Sequence, residues 1–118
     1  MEQTARASAV EASASGLHWT FAPMVDISRD PRWGRVMEGA GEDPFLGALV
    51  AEARIKGFQG AHLEDSSTIA ACAKHFAGYG FAEAGKDYNS VNIGQNTLLN
   101  VVLPPFKKAA TCSVATFM

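Results

Sequence analysis

The chain has 118 residues, 47% of them hydrophobic and 19% charged, a composition that excludes an intrinsically disordered polypeptide. Ten Lys and Arg against twelve Asp and Glu leave a formal charge of −2, with no basic run dense enough for a nucleic-acid footprint. No apolar stretch approaches the ~20 residues needed to span a bilayer, and Met1 to Ser15 lacks the apolar core of a signal peptide.

Residues Glu2 to Ser15 are rich in helix formers, and Gly16 stands where a left-handed stop is expected. Leu17 to Ile27, with Trp19, Phe21 and Val25, is too short for a buried helix and predicts a buried strand. Ser28 to Gly41 reads as a loop, punctuated by Asp30-Pro31, Gly34, Gly39 and Gly41. The next helix is strongly marked: Asp43 as its cap, Pro44 at its first position, Arg54 and Lys56 in its last turn and Gly57 as its end. Phe45, Leu46, Leu49, Val50 and Ala53 share one face, which is expected to be the buried one. Ile69 to Phe76 predicts a second strand, followed by a long loop through Gly78, Gly80 and Gly85. A third helix is expected from Asn92, where Asn92 and Gln95 have capping-box spacing. It turns Leu98, Val101, Val102 and Phe106 inward and kinks at Pro104-Pro105. Val114 to Met118 begins a third strand. Cys72 and Cys112, in apolar segments without a CxxC pair, read as buried free thiols.

Strands separated by helices imply parallel pairing with right-handed crossovers. The expected fold is therefore α/β, with about three parallel strands and three helices. That is part of a (β/α)8 TIM-type barrel, a fold of about 250 residues. Three strands cannot close a barrel, so residues 1–118 read as a fragment of a single barrel domain. Its open sheet edges are a possible route to self-association.

Barrel enzymes carry their chemistry at the C-terminal ends of strands and in the loops that follow. Two such ends are present. The first is Asp26-Ile27-Ser28-Arg29-Asp30-Pro31-Arg32-Trp33-Gly34-Arg35, where guanidinium forks suit sugar hydroxyls or carboxylates. A surface loop tied by Arg–Asp pairs is the commoner explanation of such a segment. The second is Lys74-His75-Phe76, a charged residue beside a histidine at the end of an apolar strand. Regular alternation would send the Lys74 and His75 side chains to opposite faces, so both serve one site only if the backbone departs from regularity. No cluster has metal-ligand spacing and no loop cradles phosphate, so neither a metal nor a phosphate-bearing cofactor is expected from the residues themselves.

Several motifs in one order make a specific resemblance. Ala22-Pro23-Met24-Val25-Asp26, Arg29 to Arg35, Glu38, and Gly41-Glu42-Asp43-Pro44 resemble glycoside hydrolase family 3. Lys74-His75-Phe76 with Gly78, Asp87-Tyr88-Asn89, Leu103-Pro104-Pro105-Phe106 and Ala115-Thr116-Phe117-Met118 follow in that family's order. The resemblance implies part of a retaining β-glucosidase-type hydrolase acting on terminal β-D-glucosyl or xylosyl residues of β-glucosides or oligosaccharides. It implies that Arg35, Lys74 and His75 bind the sugar, with Arg32, Trp33 and Glu38 as supporting residues. Relatives of this kind are often periplasmic or secreted. The N-acetylhexosaminidase branch has Pro where this chain has Ala77 and His where it has Tyr79, and no His follows His75. The bacterial periplasmic β-glucosidase branch is the better likeness.

The family's nucleophile belongs to a later strand and its acid/base to a separate C-terminal domain in this branch. No catalytic residue is therefore expected among residues 1–118, and the isolated chain is expected to be inactive. A non-enzymatic remnant or a weak sugar-binding module is the alternative. Two segments depart from the family pattern. Asn92 to Leu98 has lost two acids and an Arg, and Thr111-Cys112-Ser113 replaces a turn whose Gly would stop the helix.

Overall fold

The computed structural model describes residues 1–118. Four α-helices lie against a small parallel sheet: α1 (Glu2–Ala14), α2 (Pro44–Gln59), β1 (Cys72–Ala73), α3 (Gln95–Thr97), α4 (Pro104–Thr111) and β2 (Thr116–Phe117). Cys72 pairs with Thr116 and Ala73 with Phe117, in parallel. The α/β class and the parallel pairing expected from the sequence are both present.

The predicted first strand is not continuous. Residues 17–27 run parallel to 69–74 but touch that segment only at the bridges Trp19–Ala70 and Met24–Lys74. Backbone hydrogen bonds from Thr20 to Ala70, from Cys72 to Ala22 and from Val25 to Lys74 keep them alongside. Pro23 interrupts the ladder because it has no N–H to donate. The three extended segments thus share a direction while regular strand geometry survives only at β1 and β2.

Helix α2 begins as its sequence dictates: Asp43 accepts from the Phe45 N–H at 2.9 Å, and Pro44 occupies the first position. Two expectations about it fail. Gly57 does not end it, since the helix runs on to Gln59 and stops at Gly60, whose φ is +61°. Gly57 is instead where α1 crosses, its Cα too close to Ala5 and the Glu2 carbonyl for any side chain. The expected apolar face is also outward: Phe45, Leu46 and Leu49 are exposed, while Gly47, Ala51 and Ile55 are buried. Small residues let the helix axis approach the extended segments closely, so the narrow stripe wins the inner face over the bulkier one.

The core is correspondingly fine-grained, built from Val25, Ala51, Ile55, Ala71, Ala73, Phe106 and Ala109. Gln59, at the last turn of α2, clamps the sheet from its end. Its amide oxygen accepts from the Ala71 and Ala115 N–H groups at 3.3 and 2.8 Å, and its nitrogen donates to the Ser113 carbonyl at 2.9 Å. The starts of both strands are thus tied to one buried side chain, which saturates backbone groups that the short strands leave open.

The third helical region also departs from expectation. It starts at Gln95 with Gly94 as an unassisted cap, so the Asn92–Gln95 capping box does not form. A π-helical turn spans Leu98–Val102, and α4 restarts at Pro104. The prolines explain the break, since neither can donate into the preceding turn. Val102 and Phe106 point inward as expected, with Leu98 and Val101 half-buried. Helix α4 stops at Thr111 although its Gly is missing, because Ser113 takes a left-handed φ of +59° in that role. For a residue with a Cβ this costs about 1–2 kcal/mol. Both cysteines are free; Cys72 is buried as expected, whereas Cys112 is only half-buried. No helix is long and apolar enough to cross a membrane.

Candidate functional site

The first extended segment delivers Asp26 to its C-terminal end, and the second delivers Lys74 and His75 beside it. The peptides Lys74–His75 and Phe76–Ala77 are both cis, and the regular strand β1 ends at Ala73. A 3-10 turn, Val36–Glu38, caps the intervening loop and brings Arg35 over the same end.

These residues form one connected group. Glu38 holds the Arg35 guanidinium through two bonds, from Nε and Nη2, each 2.7 Å long. The third edge, Nη1, lies 3.3 Å from His75 Nε2. On the other side of the imidazole, Nδ1 is 2.8 Å from Asp26 Oδ2, which also accepts the His75 backbone N–H at 3.0 Å. The Asp26 side chain is almost wholly enclosed, 1% exposed, whereas that of His75 is 23% exposed. Lys74 makes no ion pair within the chain, yet its charge reaches the group. Arg35 first, then Lys74, hold the Glu38 carboxyl below its ordinary value.

Tyr79 is the hub beneath them. Its ring meets His75 edge-on at 4.8 Å and Trp33 edge-on at 5.0 Å, and the Arg35 guanidinium lies 5.5 Å from its centroid. Trp33 is 1% exposed and donates Nε1–H to Asp87 Oδ1 at 3.0 Å. Burial first, and the Asp87 carboxylate beside it second, push the Tyr79 phenol up to about 12. The loop closes this tightly because residue 80 is glycine: a Cβ there would lie 2.3 Å from the Ile27 carbonyl oxygen.

Of the six residues singled out from the sequence, Arg35, His75 and Glu38 touch directly. Trp33 reaches them through Tyr79, and Lys74 contributes its charge. Arg32 stands apart: it pairs with Asp30 at 2.7 Å on an exposed surface. Sequence reasoning passed over Asp26, Tyr79 and Asp87 as members of the site. Asp26 had a usable signal, a lone carboxylate near the end of an otherwise apolar run. Its pairing with His75, 49 positions away, did not.

Burial raises the Asp26 carboxyl, while hydrogen bonds from His75 and the charge of Arg35 oppose that rise. The assembled group offers nitrogen donors on Arg35 and Lys74 and one imidazole edge at the rim. No group of His, Cys, Asp and Glu has the arrangement to hold a metal ion. Donors in fixed positions, backed by buried aromatics, suit a neutral polyhydroxylated ligand better than a free anion, since Glu38 already neutralises Arg35.

Fold and site together define an α/β protein with a polar ligand cluster at the C-terminal ends of parallel segments. Residues 1–118 match the glycosyl hydrolase family 3 N terminal domain, and the chain belongs to that family. It is 48% identical over 102 residues to a periplasmic beta-glucosidase of Salmonella typhimurium, covering 86% of this chain and 13% of that protein. A lysosomal beta glucosidase of Dictyostelium discoideum is 37% identical over 103 residues, with 83% and 12% covered. The beta-glucosidase of Listeria innocua, solved in complex with glucose, superposes with a TM-score of 0.96 at 47% identity, covering 99% of this chain and 17% of that one. The chain thus spans between an eighth and a sixth of the length of these relatives.

Proposed function

We propose that this chain forms part of the sugar-binding wall of a retaining β-glucosidase-type hydrolase, as one stretch of a (β/α)8 barrel. The observation that carries the reading is the convergence of Arg35, His75 and Lys74 at the ends of two adjacent parallel segments. Barrel enzymes build their active sites at that end. Arg35 keeps two N–H groups free after bonding Glu38 and His75, and Lys74 keeps all three. Those donors meet the hydroxyls of a terminal glucosyl or xylosyl residue, and the substrate is a β-glucoside or short oligosaccharide. The relatives' names, β-glucosidases and β-xylosidases, support that substrate class. The periplasmic relative supports an exported enzyme.

None of residues 1–118 takes the part of nucleophile or acid/base in this reading. Asp26 is enclosed and committed to His75, and Glu38 is committed to Arg35. Retaining hydrolysis needs two carboxyl groups about 5 Å apart on either side of the scissile bond. Those groups belong to the remainder of such an enzyme. The test is a chimera in which these 118 residues replace the matching stretch of the Listeria innocua enzyme. It is expected to release the aryl alcohol from an aryl β-glucoside, while the 118-residue chain alone releases none. A folded chimera without turnover contradicts the proposal, as does turnover that co-purifies with the chain alone.

A further inference from the structure

Asp26 has no role in the reading above, yet it is the most deeply enclosed ionisable group of the site. Its two oxygens are used unequally. Oδ2 accepts two bonds from His75, one from the backbone N–H at 3.0 Å and one from Nδ1 at 2.8 Å. Oδ1 is buried without a partner. Leaving a carboxylate oxygen unpaired is costly, so the carboxylate is held in place for what Oδ2 does.

The opposite ring nitrogen favours the same protonation pattern. His75 Nε2 faces Arg35 Nη1, and a guanidinium is only ever a donor. Nε2 must therefore accept, which leaves Nδ1 as the protonated nitrogen, donating to Asp26. An imidazolium would set an N–H against an N–H beside a permanent cation. Tyr79 meets the ring edge-on, both Glu38 oxygens are bonded to Arg35, and the adjacent Lys74 is a donor only, so none of them supplies an alternative acceptor for Nε2.

We propose that Asp26 is a positioning residue that locks His75 as the neutral Nδ1–H tautomer, so that Arg35 and His75 together read a hydroxyl that both accepts and donates. The Arg35–His75 contact, at 3.3 Å, is at the long end for such a bond, so a hydroxyl seated beside both nitrogens can take the Nε2 lone pair over from Arg35. That hydroxyl takes a proton from Arg35 Nη1–H on one lone pair and gives its own to Nε2. An ether or fluorine at the same place accepts from Arg35 but leaves Nε2 unpaired, and a site built this way discriminates sharply against such analogues. This role rests on the sugar-binding reading for its purpose, and on the Asp26–His75–Arg35 geometry alone for its mechanism.

The test is spectroscopic. With exposed His18 and His62 replaced by Gln, 15N-edited spectra of the 118-residue chain report on His75 alone. The expected result at neutral pH is a protonated Nδ1 and an unprotonated Nε2. Asp26→Asn keeps an acceptor and preserves that pattern; in Asp26→Leu the Nδ1–H loses its acceptor and Nε2–H signals appear, whereas an unchanged Nδ1–H form in a folded Leu variant shows that Arg35 alone sets the tautomer and overturns the role of Asp26. An Nε2–H tautomer or an imidazolium with Asp26 intact overturns the proposal, whether or not the Leu variant folds. The Nδ1–H form alongside an inactive chimera sinks the sugar reading and leaves the positioning role standing. Nε2–H alongside an active chimera does the reverse.

Discussion

Replacing Gly57 by Ala sets two effects of opposite sign against each other. In the middle of a helix, Ala is favoured over Gly by about 1 kcal/mol. On propensity alone, Gly57→Ala would stabilise the chain. The structure says otherwise: the new Cβ would lie 2.5 Å from the Ala5 Cβ, 2.5 Å from the Glu2 carbonyl oxygen and 3.0 Å from the Arg6 nitrogen. Ordinary carbon contacts begin at about 3.5 Å, so α1 would have to retreat by about 1 Å along its whole crossing. Two of the three obstructing atoms are backbone, which has no rotamer to change. Overpacking of this kind costs about 1–3 kcal/mol, and separating the helices also loosens Ala5 and Ala9, the residues of α1 that are buried. The net expectation is a loss of about 1–2 kcal/mol. With a urea slope of about 2 kcal/mol per molar, the midpoint falls by roughly 0.5–1 M. Circular dichroism during urea titration measures it. A midpoint that rises, or that does not move, would refute the claim that close helix approach governs this position.

Other perturbations follow from the same structure. Ile55→Ala empties a fully enclosed site at the centre of the core and should cost about 2–5 kcal/mol, read from the same titration. Asp30 has its carboxyl lowered to about 2, first by the Arg32 side-chain hydrogen bond. Because the folded value is depressed, the pairing is in force above the ordinary 3.8 and is lost as pH falls from there towards about 2. A carboxyl-resolved NMR titration should show that midpoint, and in Arg32→Ala it should return towards the ordinary value. Both partners are open to solvent, so overall stability should barely register the change.

What could be read in advance was what local chemistry decides. The start of α2 was legible because Asp43, Pro44 and the Phe45 N–H lie within three positions of one another. The order of helices and parallel segments was legible because the apolar runs are separated by Gly, Pro and short polar stretches. Long-range packing was not. Gly57 carries a genuine stop signal, overridden because α1, more than forty positions earlier in the chain, crosses there. The buried face of α2 was misjudged because the helix is apolar on more than one side, and only its neighbours show that small residues go inward. The Asn92–Gln95 capping pattern lost to a helix start at Gln95, and Cys112 proved half-open at the end of α4. In the site, Arg35, His75 and Glu38 lie in contact, while Arg32 pairs with Asp30. Asp26 and Tyr79 were visible as letters of a motif, but their contacts join segments about fifty positions apart.

The central claim is that Arg35, Lys74 and His75 face the sugar, and kcat/KM of the chimera for an aryl β-glucoside tests it most directly. Lost donors in a closed pocket typically cost about a hundredfold to a thousandfold each. Arg35→Ala, Lys74→Ala and His75→Ala should each fall by about that much, with circular dichroism spectra unchanged. Arg32→Ala, on the exposed surface, should stay within about threefold. Full activity in all three site variants would contradict the account.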